Sequence, residues 1–196
     1  MSEPLLGVVL AGGQSKRMGV DKGLLREIQD DGTTPSWTRI ALDKLARVSD
    51  EVAVSIRGEQ RAAYARDLPE VELIEDTHRA PGPMGALLSV FASRRRDLLV
   101  LATDMPDMHV AVLERLTRER GTDDDAVLFR GARGWEPLCA LYGASGLEKL
   151  SRAVSAGRLD GYSLQQVPNI MNVRELTLDE ISAACFRNLN SAVDMD

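Results

Sequence analysis

The chain has 196 residues, of which 44% are hydrophobic and 28% are charged, and its formal net charge at pH 7 is −6. This length is enough for one domain with a sizeable core, and we expect a single domain over residues 1–196. The acidic balance argues against nucleic acid as a partner, and apolar runs far shorter than a membrane span argue against a membrane partner.

The first half of the chain alternates short apolar stretches with amphipathic ones. The apolar run LLVLA is typical of a central parallel strand, and Pro81–Pro83 is typical of a tight turn. We predict strands at 5–10, 51–56, 71–74 and 98–102, and helices near 36–48, 59–66 and 84–93.

The second half continues the alternation. We predict a helix near 110–120, strands at 126–129 and 138–142, one or two later helices and a short strand near 171–173. We expect the acidic run at 123–125 to be solvated surface. The alternation predicts an α/β fold with a mostly parallel sheet, in which ligands bind outside the carboxyl ends of the strands.

A glycine-rich stretch, LAGGQSKRMGVDKGLL, follows the first predicted strand at residues 10–25. Paired glycines let the backbone approach a ligand, and their N–H groups can form a nest for an anion. Lys16, Arg17 and Lys22 add positive charge that suits phosphates. The stretch is neither GxxxxGK[ST] nor GxGxxG, so the residues alone leave open both phosphate binding and an ordinary strand-to-helix turn.

An acidic residue, Asp104, follows the predicted central strand directly. Mg²⁺ prefers oxygen ligands and is often held by one or two carboxylates together with substrate phosphates. An aspartate in this position also commonly caps the next helix. Both interpretations are open on the residues alone.

Taken together, these stretches resemble a known family. LAGGQSKRMGVDKGLL is similar to LAGGxSxRMGxDKxLL, the signature of the molybdenum cofactor guanylyltransferases of the MobA type. Further stretches resemble the same family in the same order, namely LIED at 73–76, PGPMGA at 81–86, TDMP at 103–106, EPLCALY at 136–142 and FRNLNS at 186–191. The resemblance implies a three-layer α/β/α, Rossmann-like nucleotidyltransferase fold.

The resemblance also implies a reaction and a set of site residues. The family transfers GMP from GTP to the terminal phosphate of molybdopterin, releases pyrophosphate and uses Mg²⁺. The implied metal ligand is Asp104, the implied catalytic residues are Lys22 and Arg17, and the implied second-substrate residues are Asn188 and Asn190. The implied nucleotide-binding residues are Leu10, Ala11, Gly12, Gly13, Lys22, Ser55, Asp76, Gly82 and Asp104.

The implied partners are GTP and molybdopterin, with molybdenum-insertion proteins and molybdoenzyme chaperones as further candidates. Cys139 and Cys185 lack CxxC spacing, and the N-terminus shows no signal peptide, so we expect a cytoplasmic protein.

Some positions depart from the family pattern, and alternatives remain. Ser55 stands where asparagine is frequent, and Glu136 stands where glutamine or histidine is more usual. Related cytidylyltransferases tend to show LAAG and DQP, whereas LAGG and DMP in this chain favour GTP. A different phosphorylated acceptor is one alternative, and a non-catalytic GTP-binding protein is another, although Lys22 and Asp104 are both present.

Overall fold

The computed structural model describes residues 4–13, 21–132, 134–179 and 185–186. The described strands are β1 Leu6–Leu10, β2 Glu51–Ile56, β3 Glu72–Glu75, β4 Leu98–Ala102, β5 Ala126–Gly131, β6 Gly134–Tyr142 and β7 Val173–Thr177. The described α-helices are α1 Trp37–Leu45, α2 Arg61–Asp67, α3 Gly82–Arg94, α4 Val110–Arg118 and α5 Ala144–Ser155. Short 3₁₀ segments lie at Lys22–Leu24, Gly58–Gln60 and Leu164–Asn169.

These strands form one seven-stranded sheet in the order β3-β2-β1-β4-β6-β5-β7. Strand β6 runs antiparallel to both of its neighbours, and the other pairings in the sheet are parallel. The last residue of β1, Leu10, lies opposite Ser55 of β2 and Ala102 of β4. The carboxyl ends of these three strands therefore meet at one edge of the sheet, and the residues that follow them are brought together there.

Helices cover both faces of the sheet. On one face, α3 and α5 bury Leu87 and Leu150 against strand residues such as Val100. On the other face, α1, α2 and α4 bury their apolar sides, including Leu45 and Leu113, against the opposite side of the strands. This arrangement confirms the predicted three-layer α/β/α fold with a mostly parallel sheet. Within the described ranges, no helix is both long enough and apolar enough to cross a bilayer.

The element boundaries differ from the predicted ones where turns and bulges intervene. Helix α1 ends at Leu45 rather than near residue 48, because the following residues form tighter turns, with the Val48 N–H donating to the Leu45 carbonyl. Helix α3 begins at Gly82, inside the predicted tight turn, since Pro83 in the first helical turn loses no hydrogen bond there. Strand β6 begins at Gly134 rather than near 138, and its register against β5 shifts between Leu128 and Arg130.

The prediction that residues 123–125 are solvated surface is wrong for two of the three aspartates. Asp124 and Asp125 are only 8% and 3% exposed. The Asp125 carboxylate accepts hydrogen bonds from Lys149 Nζ (2.5 Å), the Asn172 N–H (2.8 Å) and Ser145 Oγ (3.1 Å). It therefore joins the start of β5 to helix α5 and to the segment that leads into β7.

Candidate functional site

A cavity of about 710 Å³ opens at the carboxyl edge of the sheet. It lies where β1, β3 and β4 end, beside the 3₁₀ turn at Lys22–Leu24 and the first turn of α3. Eight of the sequence-predicted residues line it, namely Leu10, Ala11, Gly12, Gly13, Lys22, Asp76, Gly82 and Asp104. The sheet topology thus brings together residues that are up to 94 positions apart in the chain.

Asp104 and Lys22 face this one cavity. Burial raises the pKa of the Asp104 carboxyl, and the positive charge of Lys22 counteracts part of that rise. The Asp104 Oδ1 atom is buried and has no hydrogen-bond donor among the residues that the structure describes. A buried carboxylate oxygen without a donor is costly, and a bound cation would remove that cost.

The donor set around Asp104 fits a divalent cation that takes its other ligands from substrate and water. The described part of the chain contains no cluster of three or more His, Cys, Asp or Glu side chains able to hold a metal. Mg²⁺ is typically bound in this way, through one or two carboxylates together with phosphates.

Asp76 lies at the opposite wall, after the end of β3, and its position requires glycine at residue 12. A Cβ on Gly12 would overlap the Asp76 Oδ2 atom well inside van der Waals contact. The other oxygen, Oδ1, accepts a hydrogen bond from the Ser55 hydroxyl. Burial raises the pKa of Asp76, while the Ser55 hydrogen bond and the nearby Arg57 guanidinium act to lower it.

Ser55 itself does not lie at the cavity surface, contrary to its predicted place among the nucleotide-binding residues. Its side chain is fully buried, and its hydroxyl is used by Asp76. Ser55 therefore orients Asp76, which does line the cavity.

The first turn of α3 forms another wall, through Pro81, Gly82 and Pro83. The segment before it is held by Ser89, whose Oγ accepts hydrogen bonds from the N–H groups of Thr77 and His78, both at 2.9 Å. The N-terminus of this 13-residue helix carries a partial positive charge that favours an anionic ligand.

Several cavity residues were not identified from the sequence. Arg57 follows the end of β2 and lines the cavity, while its guanidinium pairs with Glu59 at 3.3 Å. Asp21, which precedes Lys22, accepts hydrogen bonds from Gln60 and Tyr64, two residues at the start of the α2 region. Two features of the sequence could have drawn attention to these residues: the adjacent Asp and Lys within the glycine-rich stretch, and the helical spacing of Gln60 and Tyr64. Neither feature predicts a contact between residues that are 39 or more positions apart.

Three of the predicted residues lie outside the described part of the chain. These are Arg17, within residues 14–20, and Asn188 and Asn190, within residues 187–196.

Comparison with known proteins adds evidence that is independent of this geometry. Residues 7–168 match the family described as the MobA-like NTP transferase domain. The chain is 30% identical over 193 residues to a molybdenum cofactor guanylyltransferase of Xanthomonas euvesicatoria, covering 97% of this chain and 92% of the relative. It is also 30% identical over 200 residues to a probable molybdenum cofactor guanylyltransferase of Methanothermobacter thermautotrophicus, covering 100% and 99%.

Solved structures share the fold. A molybdopterin-guanine dinucleotide biosynthesis protein A from Archaeoglobus fulgidus superposes with a TM-score of 0.76 at 23% identity, covering 97% of this chain and 94% of that one. A Mycobacterium tuberculosis protein in complex with manganese superposes with a TM-score of 0.65 at 20% identity, covering 98% and 96%.

Proposed function

The chain is a nucleotidyltransferase that belongs to the MobA-like NTP transferase domain family, and we propose that it transfers GMP from GTP to the terminal phosphate of molybdopterin. The observation that carries this proposal is that Lys22, Asp104 and the Gly12–Gly13 backbone line one cavity. Its volume of about 710 Å³ lies within the range of small-molecule sites. The names of the relatives favour GTP and molybdopterin as the substrates.

The reaction joins two anions. An oxygen of the acceptor phosphate attacks the α-phosphorus of GTP, and the bond from that phosphorus to the oxygen bridging the β-phosphate breaks, so that pyrophosphate leaves. The attacking oxygen is already anionic at neutral pH, so no general base is required. Catalysis must then come from holding the phosphates in place and from stabilising the negative charge that develops.

Different cavity residues hold the phosphates and stabilise the negative charge. Lys22 stabilises negative charge at the α-phosphate, and the Gly12 and Gly13 N–H groups hold the β- and γ-phosphates. Arg17, on the segment between them, adds positive charge to the same phosphates. Asp76, oriented by Ser55, contacts the nucleoside, and the first turn of α3 at Gly82 presents backbone groups to it.

Asp104 holds the divalent cation, which we propose to be Mg²⁺. When bound, this ion neutralises charge on the triphosphate and on the leaving pyrophosphate. The manganese complex of the Mycobacterium tuberculosis relative supports a divalent cation in this fold. The ionised form of Asp104 is the one that binds the cation, and Lys22 favours that form against the effect of burial.

Asn188 and Asn190 supply amide groups to the second substrate. We propose a single nucleotidyltransferase domain in the cytoplasm, with molybdenum-insertion proteins and molybdoenzyme chaperones as protein partners that deliver molybdopterin and collect the dinucleotide.

A pyrophosphate-release assay tests the function. The purified protein is supplied with Mg²⁺, molybdopterin and one of GTP, CTP or ATP, and the product is identified by mass spectrometry. We expect release with GTP, only when molybdopterin is present, together with the guanine dinucleotide. Preference for CTP would make the protein a cytidylyltransferase, and GTP binding without release in the presence of molybdopterin would contradict the proposed reaction and favour a different acceptor or a non-catalytic GTP-binding protein.

A further inference from the structure

One buried side chain hydrogen-bonds to both Ala11 and Asp21, the first and last residues of the segment 11–21 within the glycine-rich stretch. Gln60, which is 6% exposed, donates through Nε2 to the Ala11 carbonyl (3.1 Å) and to Asp21 Oδ2 (2.6 Å). Its Oε1 atom accepts from the Arg57 N–H (2.8 Å). Ala11 begins the segment that contains the glycine pair, and Asp21 precedes Lys22, so Gln60 fixes both ends relative to β2.

The hydrogen bonds of Gln60 require an amide. Both of its acceptors, a carbonyl oxygen and a carboxylate oxygen, face the NH₂ group, and a backbone donor faces the oxygen. A carboxylate of the same shape would place an acceptor, and a second negative charge, against Asp21. Position 60 therefore requires the hydrogen-bonding groups of an amide as well as a side chain of this size.

Tyr64 holds the other oxygen of Asp21. Its ring is fully buried, and its hydroxyl donates to Asp21 Oδ1 at 3.0 Å. The same carboxylate oxygen accepts from the Gly23 N–H at 3.1 Å, which fixes the turn that carries Lys22. A Cβ on Gly23 would overlap the Tyr64 hydroxyl, so Tyr64 packs directly on this turn.

We propose that Gln60 and Tyr64 are positioning residues: both act through Asp21 on Lys22, and Gln60 also acts through the Ala11 carbonyl on the glycine amides. We call Asp21, Gln60 and Tyr64 the loop anchor. Neither Gln60 nor Tyr64 is among the residues that line the cavity, so the loop anchor acts by setting where the cationic and N–H groups point. The inference rests on the proposed function, because it assigns these groups to the triphosphate.

Tyr64→Phe tests the loop anchor, with Tyr142→Phe as its matched control. Tyr142 is equally buried and donates one hydrogen bond, to the Pro137 carbonyl at 2.8 Å, but it does not contact Asp21. We expect both variants to lower the thermal unfolding midpoint by similar amounts. Tyr64→Phe should lower kcat about tenfold with less than about threefold change in the KM for GTP, whereas Tyr142→Phe should leave kcat within about twofold.

A double-mutant cycle separates positioning from general stability. If Tyr64 acts through Lys22, Tyr64→Phe in the Lys22→Ala background should lower single-turnover rates by less than about twofold. A further tenfold loss in that background, or equal losses of kcat in the two tyrosine variants, would overturn the proposal for Tyr64.

Gln60→Glu tests the amide requirement with almost no change of shape. We expect kcat/KM for GTP to fall more than about thirtyfold, because both ends of the segment lose a donor and Asp21 gains a repulsive neighbour. A folded Gln60→Glu protein with the wild-type kcat/KM would exclude Gln60 as a positioning residue.

The assays of the wild-type protein test the proposed function separately from the loop anchor. If the wild-type protein uses another nucleotide or acceptor, the substrate assignment fails, and the same variants are compared with the substrate that is turned over. If it turns over no nucleotide, Mg²⁺–GTP affinity replaces kcat/KM as the readout for Gln60→Glu, and a folded Gln60→Glu protein with the wild-type affinity would then contradict the loop anchor.

Discussion

Asp104 is a residue whose burial costs stability. Burial raises its carboxyl pKa, and one of its oxygens has no donor within the described residues. Asp104→Asn removes the charge at nearly constant shape, so we expect turnover to fall by more than about a hundredfold while the thermal midpoint without metal stays the same or rises. Pyrophosphate release and differential scanning fluorimetry measure the two quantities.

Asp107→Asn is the control, since Asp107 lies in the same loop but is exposed. It should change neither quantity. A large loss of stability in Asp104→Asn, with activity lost in proportion, would indicate a structural carboxylate instead of a metal ligand.

Lys22 provides a test that complements Asp104→Asn, because among the described residues it is the lysine that lines the cavity. Lys22→Ala removes the cation that we propose to act at the α-phosphate, and we expect turnover to fall about a hundredfold or more, with the unfolding midpoint little changed. Lys149→Ala should show the opposite pattern, a lower midpoint and nearly normal turnover, because Lys149 holds Asp125 and neither residue lines the cavity. Turnover within about twofold of wild type in Lys22→Ala would remove Lys22 from the mechanism.

The two adjacent glycines differ in what surrounds them, which gives a prediction that needs no substrate. A Cβ on Gly12 would overlap Asp76, whereas a Cβ on Gly13 meets no atom of the described residues within 4 Å. Gly12→Ala should therefore cost about 2 kcal/mol of unfolding free energy, or about 4–8 °C in the midpoint, as overpacking does in a protein of this size. Gly13→Ala should leave the nucleotide-free midpoint almost unchanged, and equal shifts in the two variants would contradict the close approach of Gly12 and Asp76.

At the scale of elements, Asp125 shows how the acidic run joins three parts of the fold. Burial opposes its ionisation, but hydrogen bonds from Lys149, Asn172 and Ser145 outweigh that effect and hold its pKa below the ordinary value of 3.8. The stabilisation from this carboxylate is therefore complete above about pH 3.8, and it is lost as the pH falls through the lowered pKa.

Asp125→Asn should accordingly destabilise the protein by about 2 kcal/mol at neutral pH, because one accepting oxygen becomes an NH₂ group that faces donors. The difference in unfolding free energy from wild type should shrink as the pH falls below about 4. Urea titrations at pH 7 and pH 3.5 measure it. Asp123→Asn is the control, since Asp123 is exposed, and a difference independent of pH would show that the charge of Asp125 is not what stabilises the junction.

The elements themselves were largely predictable, since strand and helix periodicities are local. The strands at 51–56 and 98–102 occur with the predicted bounds. The early start of β6 and the burial of Asp125 were not predictable, because both depend on which elements the sheet brings next to each other. A run of charges carries no local signal that a helix such as α5 will cover it.

The same distinction applies to the candidate site. Residues that stand directly after a strand, such as Asp104 and Asp76, could be placed at the carboxyl edge from sequence order alone. Gln60 and Tyr64 could not, because their contacts with Asp21 follow from the packing of α2 against the glycine-rich segment. The hydrogen bond from Ser55 to Asp76 could not be predicted either, since the sequence does not tell a side chain at the cavity surface from one that orients its neighbour.

For the whole molecule, the proposed function poses an electrostatic problem, because a protein with a net charge of −6 would have to bind a polyanion. The cavity contributes Lys22 and Arg57 from the described residues, together with the carboxylates of Asp21, Asp76 and Asp104. GTP alone therefore meets negative as well as positive groups, and a divalent cation at Asp104 should convert a repulsive contact into an attractive one.

This coupling predicts how stability depends on ligands. With Mg²⁺ and GTP at about 100 times its dissociation constant, the unfolding free energy should rise by about 2.7 kcal/mol, a midpoint shift of about 5–10 °C. Adding EDTA should abolish most of the shift, and CTP at the same concentration should give a smaller one. In Asp104→Asn the shift with GTP should be small and insensitive to EDTA, because the repulsive carboxylate and the cation site are lost together. A shift that is equally large with and without EDTA in the wild-type protein would mean that the cationic side chains and amides bind the triphosphate unaided, and Asp104 would then have no part in nucleotide binding.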